Sequence, residues 1–399
     1  MKEKLRNLAT NLFDAGEKLK VSKDGRVKLP VSFDHEQEVL FFNTENGYKM
    51  VPLVPDVKKV YLEVTTQCNF SCVTCIRNSW NEDLGQMEWG TFEKFLDSLR
   101  GLPYLETVHF GGFGEPFSHL KILDMLKAVK GRGLRVEIIT NGSLLTDDVI
   151  KELISLGLDR IYVSLDGPDE EEYNEIRQGA DFNSVLGNVQ SLNRIKKELG
   201  VKKPELGIEF VAMKSNFHKL PKLVRMAWEM KVRKVIVTNL LPYHESLKDE
   251  IVYDIDDTGN IFDTELLLMN LQAQMPFMKL RTERYCKFIE DKSFSVNFNG
   301  NVSPCYALMH SYRCFIYGRE KEMIPCYLGN INDKTLKDIW ADSGYISFSH
   351  AVKNFKFPSC TDCKFLEGCT MADSNEMDCW GNSPSCAECL WSRSIVACP

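Results

Sequence analysis

Cysteine placement constrains this chain more than any other feature. Of its fourteen cysteines, three stand close together at Cys68, Cys72 and Cys75, and the other eleven lie between Cys286 and Cys398. The N-terminus, MKEKLRNLATNLFDAGEKLK, mixes acidic with basic residues and never reaches the apolar run of a signal peptide. No later run approaches the roughly 18 apolar residues of a membrane span. The expectation is a cytoplasmic protein with no membrane partner, and in a reducing compartment so many thiols point to metal rather than to disulfides.

With 399 residues the chain can form two or three domains whose cores need no covalent staples. Hydrophobic residues at 44% and charged residues at 26% are those of a globular protein, and a net charge of -7 supplies no overall basic surface for nucleic acid.

Six short β-branched runs, KVYLEVTT (59–66), TVHFGG (107–112), RVEIITNG (135–142), RIYVSLDG (160–167), LGIEFVAM (206–213) and KVIVTNLLP (234–242), alternate with stretches of helical periodicity such as DDVIKELISLGL. Nearly continuous apolar character predicts parallel strands covered on both faces, and six βα units make an incomplete barrel. Ligands then gather at the C-terminal strand ends. Residues 1–56 read as a small α+β appendage, a helix from Glu3 to Lys20 followed by a hairpin turning at Asn46-Gly47. Residues 57–275 cover the barrel with a helical linker after Pro242, and 276–399 form a cysteine-rich C-terminal domain.

The loop TTQCNFSCVTCIRNSW follows the first run with C-x3-C-x2-C spacing. Three thiolates within eight residues can hold one corner of a four-iron cubane and leave the fourth iron open for a small molecule. A structural zinc loop, or three buried thiols, satisfies the spacing equally well. At the second strand end, GGFGEP (Gly111, Gly112, Gly114, Glu115) offers backbone that a ligand can approach and a carboxylate for an ammonium group. Ser164 and Asp166 at the fourth strand end lie two positions apart, on one face, where they can meet ribose hydroxyls or simply begin a turn. Asn141 either borders the same site or caps the next turn. Toward the C-terminus, Cys286 and Cys305 flank a predicted hairpin turning at Asn299-Gly300, and C-x2-C-x5-C is formed by Cys360, Cys363 and Cys369. Zinc-ribbon spacing is the alternative for the C-x2-C pair.

The three-cysteine loop, in register with those strand ends, resembles the radical S-adenosylmethionine (SAM) superfamily, and the later cysteine spacings resemble its SPASM extension. The resemblance implies a partial (β/α)6 barrel and a 4Fe-4S cluster on Cys68, Cys72 and Cys75 whose open iron takes the amino and carboxylate groups of SAM. It also implies SAM contacts from the GGFGEP turn, Asn141, Ser164, Asp166, Arg177, Gly207 and Leu241. Two auxiliary 4Fe-4S clusters follow from the SPASM likeness. The first falls to Cys286, Cys305 and Cys379, the second to Cys360, Cys363 and Cys369 completed by Cys389 or Cys386. Cys398 is a further candidate ligand, while Cys314 and Cys326 stand as ordinary residues. Thr74 occupies a position usually aromatic in the superfamily, and Phe113-Gly114 lengthens its glycine motif.

Three stretches, EIRQGADFNSVLGN, VTNLLPYHESLKDEIVYD and MADSNEMDCWGNSPSCAECLWSRSIVACP, are similar to the cofactor-modifying proteins or maturases of tungsten-containing aldehyde ferredoxin oxidoreductases. That likeness implies oxygen-free reductive cleavage of SAM to a 5'-deoxyadenosyl radical. It further implies a protein, peptide or tungsten-cofactor substrate and a ferredoxin or flavodoxin-type electron donor. A ribosomal-peptide maturase gripping a leader with the N-terminal hairpin, and a non-enzymatic electron carrier, are the alternatives. Asp373 and Asp378 read as solvent-facing carboxylates, and no general acid or base is legible.

Overall fold

A computed structural model describes residues 20–21, 26–28, 38–44, 47–53, 55–253, 271–280 and 283–398. The helix expected from Glu3 lies outside these residues except for Lys20, which begins a strand instead. Four antiparallel strands, β1 (Lys20–Val21), β2 (Arg26–Lys28), β3 (Glu38–Thr44) and β4 (Gly47–Pro52), form a small sheet in that order. Thr44 pairs with Gly47, so β3 and β4 make the anticipated hairpin.

The six expected barrel strands are β5 (Lys59–Leu62), β6 (Thr107–Phe110), β7 (Arg135–Thr140), β8 (Arg160–Ser164), β9 (Glu205–Ala212) and β10 (Lys234–Asn239). They are parallel and lie in sequence order. Helices between them start on short polar acceptors: Thr146 receives Val149 N–H, Asp169 receives Glu172 N–H and Asp181 receives Ser184 N–H. Each satisfies an otherwise orphaned first-turn donor.

One face of the sheet buries Val60, Leu62, Val108, Phe110, Val136, Ile138, Ile161, Val163, Ile208 and Phe210 against the helices. Each such side chain stabilises the fold by about 1.5–3 kcal/mol. The alternate positions differ from the expectation of apolar character on both faces. Tyr61, His109, Glu137, Tyr162 and Glu209 share the other face, aligned through the register His109 with Tyr61 and Glu137, Ile139 with Tyr162, and Ser164 with Glu209. Because the strand period is two, a run rich in Val and Ile still presents a separate polar row to the lumen.

Two further strands extend the barrel sheet in parallel. β11 (Gln272–Gln274) joins β10, and β12 (Ser293–Val296) joins β5. The latter opens the expected hairpin with β13 (Asn301–Ser303), in which Gly300 takes a left-handed φ of 83° and Asn297 Oδ1 accepts from the N–H groups of Asn299 and Asn301. The C-terminal cysteine domain is thereby built onto the barrel edge. A separate hairpin, β14 (Tyr312–Ile316) and β15 (Arg319–Met323), buries Cys314, and β16 (Gly329–Asn330) closes the large sheet beside β13.

A buried latch joins barrel to cysteine domain. His310 lies 2.7 Å from Glu63 Oε2 and 2.8 Å from Glu82 Oε2, and its ring stacks on Trp80 at 4.2 Å. Burial works against its charge, but the two carboxylates win and raise its pKa to about 9. The other oxygen of Glu63 accepts from Phe113 N–H at 2.9 Å, so the same latch sets the GGFGEP turn.

Candidate active site

The cysteine loop leaves β5 and is tied down along its length. Arg77 donates to the carbonyls of Thr66 (2.7 Å) and Phe70 (2.9 Å), while Ser71 and Val73 N–H groups bond to Gln178 and Ile176 carbonyls. The last pair of bonds brings Arg177, immediately after the helix Glu170–Ile176, onto the loop. Its Nη1 sits 3.9 Å from Cys72 Sγ and its Nη2 2.9 Å from Asp166 Oδ2. Burial opposes the guanidinium charge, yet Asp166 and Cys72 lift its pKa above the ordinary arginine value.

A cavity of about 280 Å³ opens at the strand ends. It is lined by Cys68, Cys72, Cys75, Gly112, Gly114, Glu115, Asn141, Ser164, Arg177 and Leu241, residues scattered over the chain and anticipated for one site. Gly111, Asp166 and Gly207 stand behind this wall. Asp166 is fully buried, accepts from Val211 N–H at 2.8 Å and pairs with Arg177, so its place is to position that arginine and not to meet a ribose. A Cβ on Gly207 would lie 2.4 Å from the Tyr162 ring, which identifies it as clearance for that ring.

The glycine turn needs its missing side chains. A Cβ at Gly112, where φ is +144°, would fall 2.5 Å from Glu63, and one at Gly114 would fall 2.3 Å from the Thr65 carbonyl oxygen. This close packing aims Glu115 inward, where it accepts from Phe117 N–H (3.0 Å), Thr140 Oγ1 (2.8 Å) and Asn141 N–H (2.6 Å). Burial pushes Glu115 up to about 6, and those three donors limit the rise. Asn141 Nδ2 in turn donates to Asn69 Oδ1 at 2.9 Å and approaches Cys68 Sγ at 3.8 Å.

None of the fourteen cysteines forms a disulfide. Burial raises Cys72 to about 11 and raises Cys75, although the arginines beside them pull the other way. Such thiols release their protons when iron replaces them. Three inward thiols, a buried guanidinium with an unpartnered Nε and a cavity beside them fit a cluster with one open iron.

The later cysteines assort differently from the expectation. Cys286, Cys305, Cys386 and Cys389 repel one another as thiolates, whereas Cys360 feels Cys379 and Cys369. Cys379 therefore sits with the second group, not with Cys286 and Cys305, and Cys386 with Cys389 sits with the first. Cys363 shares the Cys360 turn, its N–H bonding to the Cys360 carbonyl. Cys398 lines the barrel cavity, and its sulfur accepts from Trp391 Nε1 at 3.2 Å. Buried charges lock the two groups together. Lys321 donates to the carbonyls of Ala372 and Ser374 and to Glu388, between Cys386 and Cys389, and Arg319 also binds Glu388 and Ala372. Asp378 is buried, contrary to its expected exposure, and its carboxylate accepts from Trp380, Asn382 and Ser385 to shape the turn around Cys379.

Asn239, at the end of the sixth run, lines the cavity as well, and sequence reasoning passed over Thr140, His109, Glu209, Thr238, Tyr306 and Trp391, which also line it. The available signal was strand parity: His109 and Glu209 interrupt β-branched runs at lumen-facing positions. Burial pushes Glu209 up to about 7, Asp166 adds to the rise and Arg177 offsets it.

Residues 62–203 match the model of the radical SAM superfamily, and residues 286–364 match that of SPASM, an iron-sulfur cluster-binding domain. The tungsten-containing aldehyde ferredoxin oxidoreductase cofactor-modifying protein of Pyrococcus furiosus is 40% identical over 347 residues, covering 86% of this chain and 97% of that protein. PqqA peptide cyclase of Bradyrhizobium diazoefficiens is 23% identical, covering 82% and 85%. Among solved structures, anSMEcpe with bound AdoMet superposes with a TM-score of 0.56 at 17% identity, covering 84% of this chain and 94% of that one. Streptococcus suis SuiB bound to the precursor peptide SuiA gives 0.56 at 17%, covering 79% and 72%. These two show the shared fold.

Proposed function

The chain belongs to the radical SAM superfamily, as a SPASM enzyme of the family of tungsten-containing aldehyde ferredoxin oxidoreductase cofactor-modifying proteins, and from that premise we propose that it acts on the cofactor of a tungsten enzyme. Cys68, Cys72 and Cys75 hold the SAM-binding 4Fe-4S cluster. When bound, cluster and SAM together supply a 5'-deoxyadenosyl radical that removes a hydrogen atom from the substrate. The remaining work falls to the polypeptide. Glu115 and the Gly112–Gly114 backbone receive the methionyl ammonium, and Arg177, held by Asp166, receives its carboxylate. Ser164 faces the ribose, and Leu241 offers an apolar surface to the adenine. Cys286, Cys305, Cys386 and Cys389 would hold one auxiliary cluster and Cys360, Cys363, Cys369 and Cys379 the other. Full cysteine ligation would leave such clusters closed to substrate, and the chemistry they would supply is electron transfer. An external ferredoxin or flavodoxin supplies the electrons.

The observation that carries this reading is the convergence of Cys68, Cys72, Cys75, Glu115, Ser164 and Arg177 on one cavity. Anaerobic reconstitution with iron and sulfide, followed by SAM and dithionite, is expected to yield 5'-deoxyadenosine, and Cys68→Ala to yield none. Full turnover by that variant overturns the assignment. A peptide substrate is the second reading. It is favoured by the open edge of β4, which among the described residues pairs only with β3 and can accept an extended chain. Incubation of the reduced enzyme with the apo tungsten oxidoreductase, its isolated pterin cofactor, or short peptides distinguishes the two by which one consumes SAM in step with its own change in mass.

A further inference from the structure

The C-terminal segment returns into the barrel and is bonded there at every turn. Ser394 O accepts from Phe277 N–H (2.7 Å), Ile395 O from Asn239 Nδ2 (2.9 Å), and Ala397 N–H donates to Thr238 Oγ1 (2.9 Å). Lys287 Nζ reaches the Cys398 carbonyl at 3.2 Å. The result is a strap across the lumen that sets the Cys398 sulfur on the cavity wall, oriented by the indole N–H of Trp391.

That end of the cavity carries polar atoms with nothing to bind. Asn239 is 2% exposed and its Oδ1 has no partner, and the fully buried His109 leaves Nε2 without one. Buried polar groups are ordinarily satisfied, so these atoms point to a ligand occupying the space beside Cys398. Among the charged groups that act on Cys398 are Glu209, Lys287 and Lys59. Burial keeps its hydrogen on sulfur.

We propose that Cys398 is the hydrogen-atom donor to a carbon radical formed in this cavity. The inference rests on the radical chemistry proposed above. An S–H bond is weaker than the C–H bond of a methyl group, so transfer to a 5'-deoxyadenosyl or substrate carbon radical runs downhill. The C–H bond forms as the S–H bond breaks, leaving a thiyl radical on Cys398. One electron from a low-potential reductant, an iron-sulfur protein or dithionite, and one proton from the Glu209 carboxyl restore the thiol.

The thiol hydrogen exchanges with solvent, and this supplies the test. The reconstituted full-length enzyme is given SAM and dithionite in D2O without substrate, and 5'-deoxyadenosine is weighed by mass spectrometry. The wild type is expected to place one deuterium in the product, and Cys398→Ser, whose O–H bond is too strong to donate, to lose that label while keeping its iron. Trp391→Phe, which frees the sulfur without removing it, is expected to give an intermediate fraction. Unlabelled product from the wild type, or undiminished label from Cys398→Ser, overturns the proposal. So does loss of about four iron atoms from Cys398→Ser, which would make the residue a cluster ligand. Should that variant fail to fold, an unchanged label in Trp391→Phe is the overturning result. Absence of any 5'-deoxyadenosine from the wild type refutes the radical reading itself, and the proposal falls with it.

Discussion

The two cysteine regions of this molecule solve the same problem in opposite ways. In the barrel, three ligand candidates fall within eight residues of one loop, which the Arg77 side chain ties from within and the Ile176 and Gln178 carbonyls hold from the helix end beside it. In the C-terminal domain, Cys286 and Cys305 must meet Cys386 and Cys389 from the far end of the chain. Local spacing builds a site that one strand end can present, and only long-range folding can gather the other two. Under the proposed function the contrast also separates tasks: three thiols in the local site would leave an iron open, while four in each gathered site would close its cluster.

The largest effect that can break this comparison is on SAM cleavage. Cys75→Ala is expected to abolish 5'-deoxyadenosine formation, whereas Cys363→Ala retains it and loses coupled substrate modification. Chromatography of both products checks the split, and equal loss from both variants would erase the distinction between the regions.

Iron content sharpens the grouping of the distant thiols. Cys286→Ala and Cys389→Ala are each expected to lose about four iron atoms, and the double variant still about four, because both serve one cluster. Cys286→Ala combined with Cys379→Ala is expected to lose about eight. If Cys286 and Cys379 together cost only four, the sequence-based grouping was the correct one.

Arg177→Ala leaves the Asp166 carboxylate buried without its partner, a change that costs about 3–5 kcal/mol. Anaerobic urea unfolding is expected to show the lowered midpoint, and Arg177→Lys to restore most of the stability while binding SAM more weakly. Equal SAM affinity in wild type and Arg177→Lys would remove the arginine from the carboxylate-binding role.

The smallest effect concerns the latch between the regions. His310 has its pKa raised from 6.5 to about 9 in the folded chain. Its contribution is fully present below pH 6.5 and is lost as pH rises through 9, amounting to about 3 kcal/mol. Unfolding midpoints measured at pH 6.5 and 9.5 should differ in the wild type and converge in His310→Gln. A wild type indifferent to that interval would mean that the imidazole is not charged at neutral pH.

Much of the barrel and its site was legible because each element carries its own signal. Strand runs, the C-x3-C-x2-C loop, the glycine turn and Arg177 all precede folding as local patterns. Asp166 was misplaced because parity on a strand assigns a face without revealing that a buried arginine waits there. Glu63, Glu82 and His310 left no trace, since a charged residue in sequence gives no sign of a partner more than two hundred positions away. Lys321 and Glu388, 67 positions apart, gave no sign of each other either.

Sequence alone made the parallel barrel, the three-cysteine loop and the thiol-rich C-terminal third legible, because strand and helix periods and closely spaced thiols are short-range properties of a chain. Tertiary structure decided which distant cysteines become neighbours, that the first strand of the cysteine domain extends the barrel sheet, and that Cys398 lines the cavity. Those outcomes depend on which surfaces bury one another, and burial is a property of the whole packed molecule.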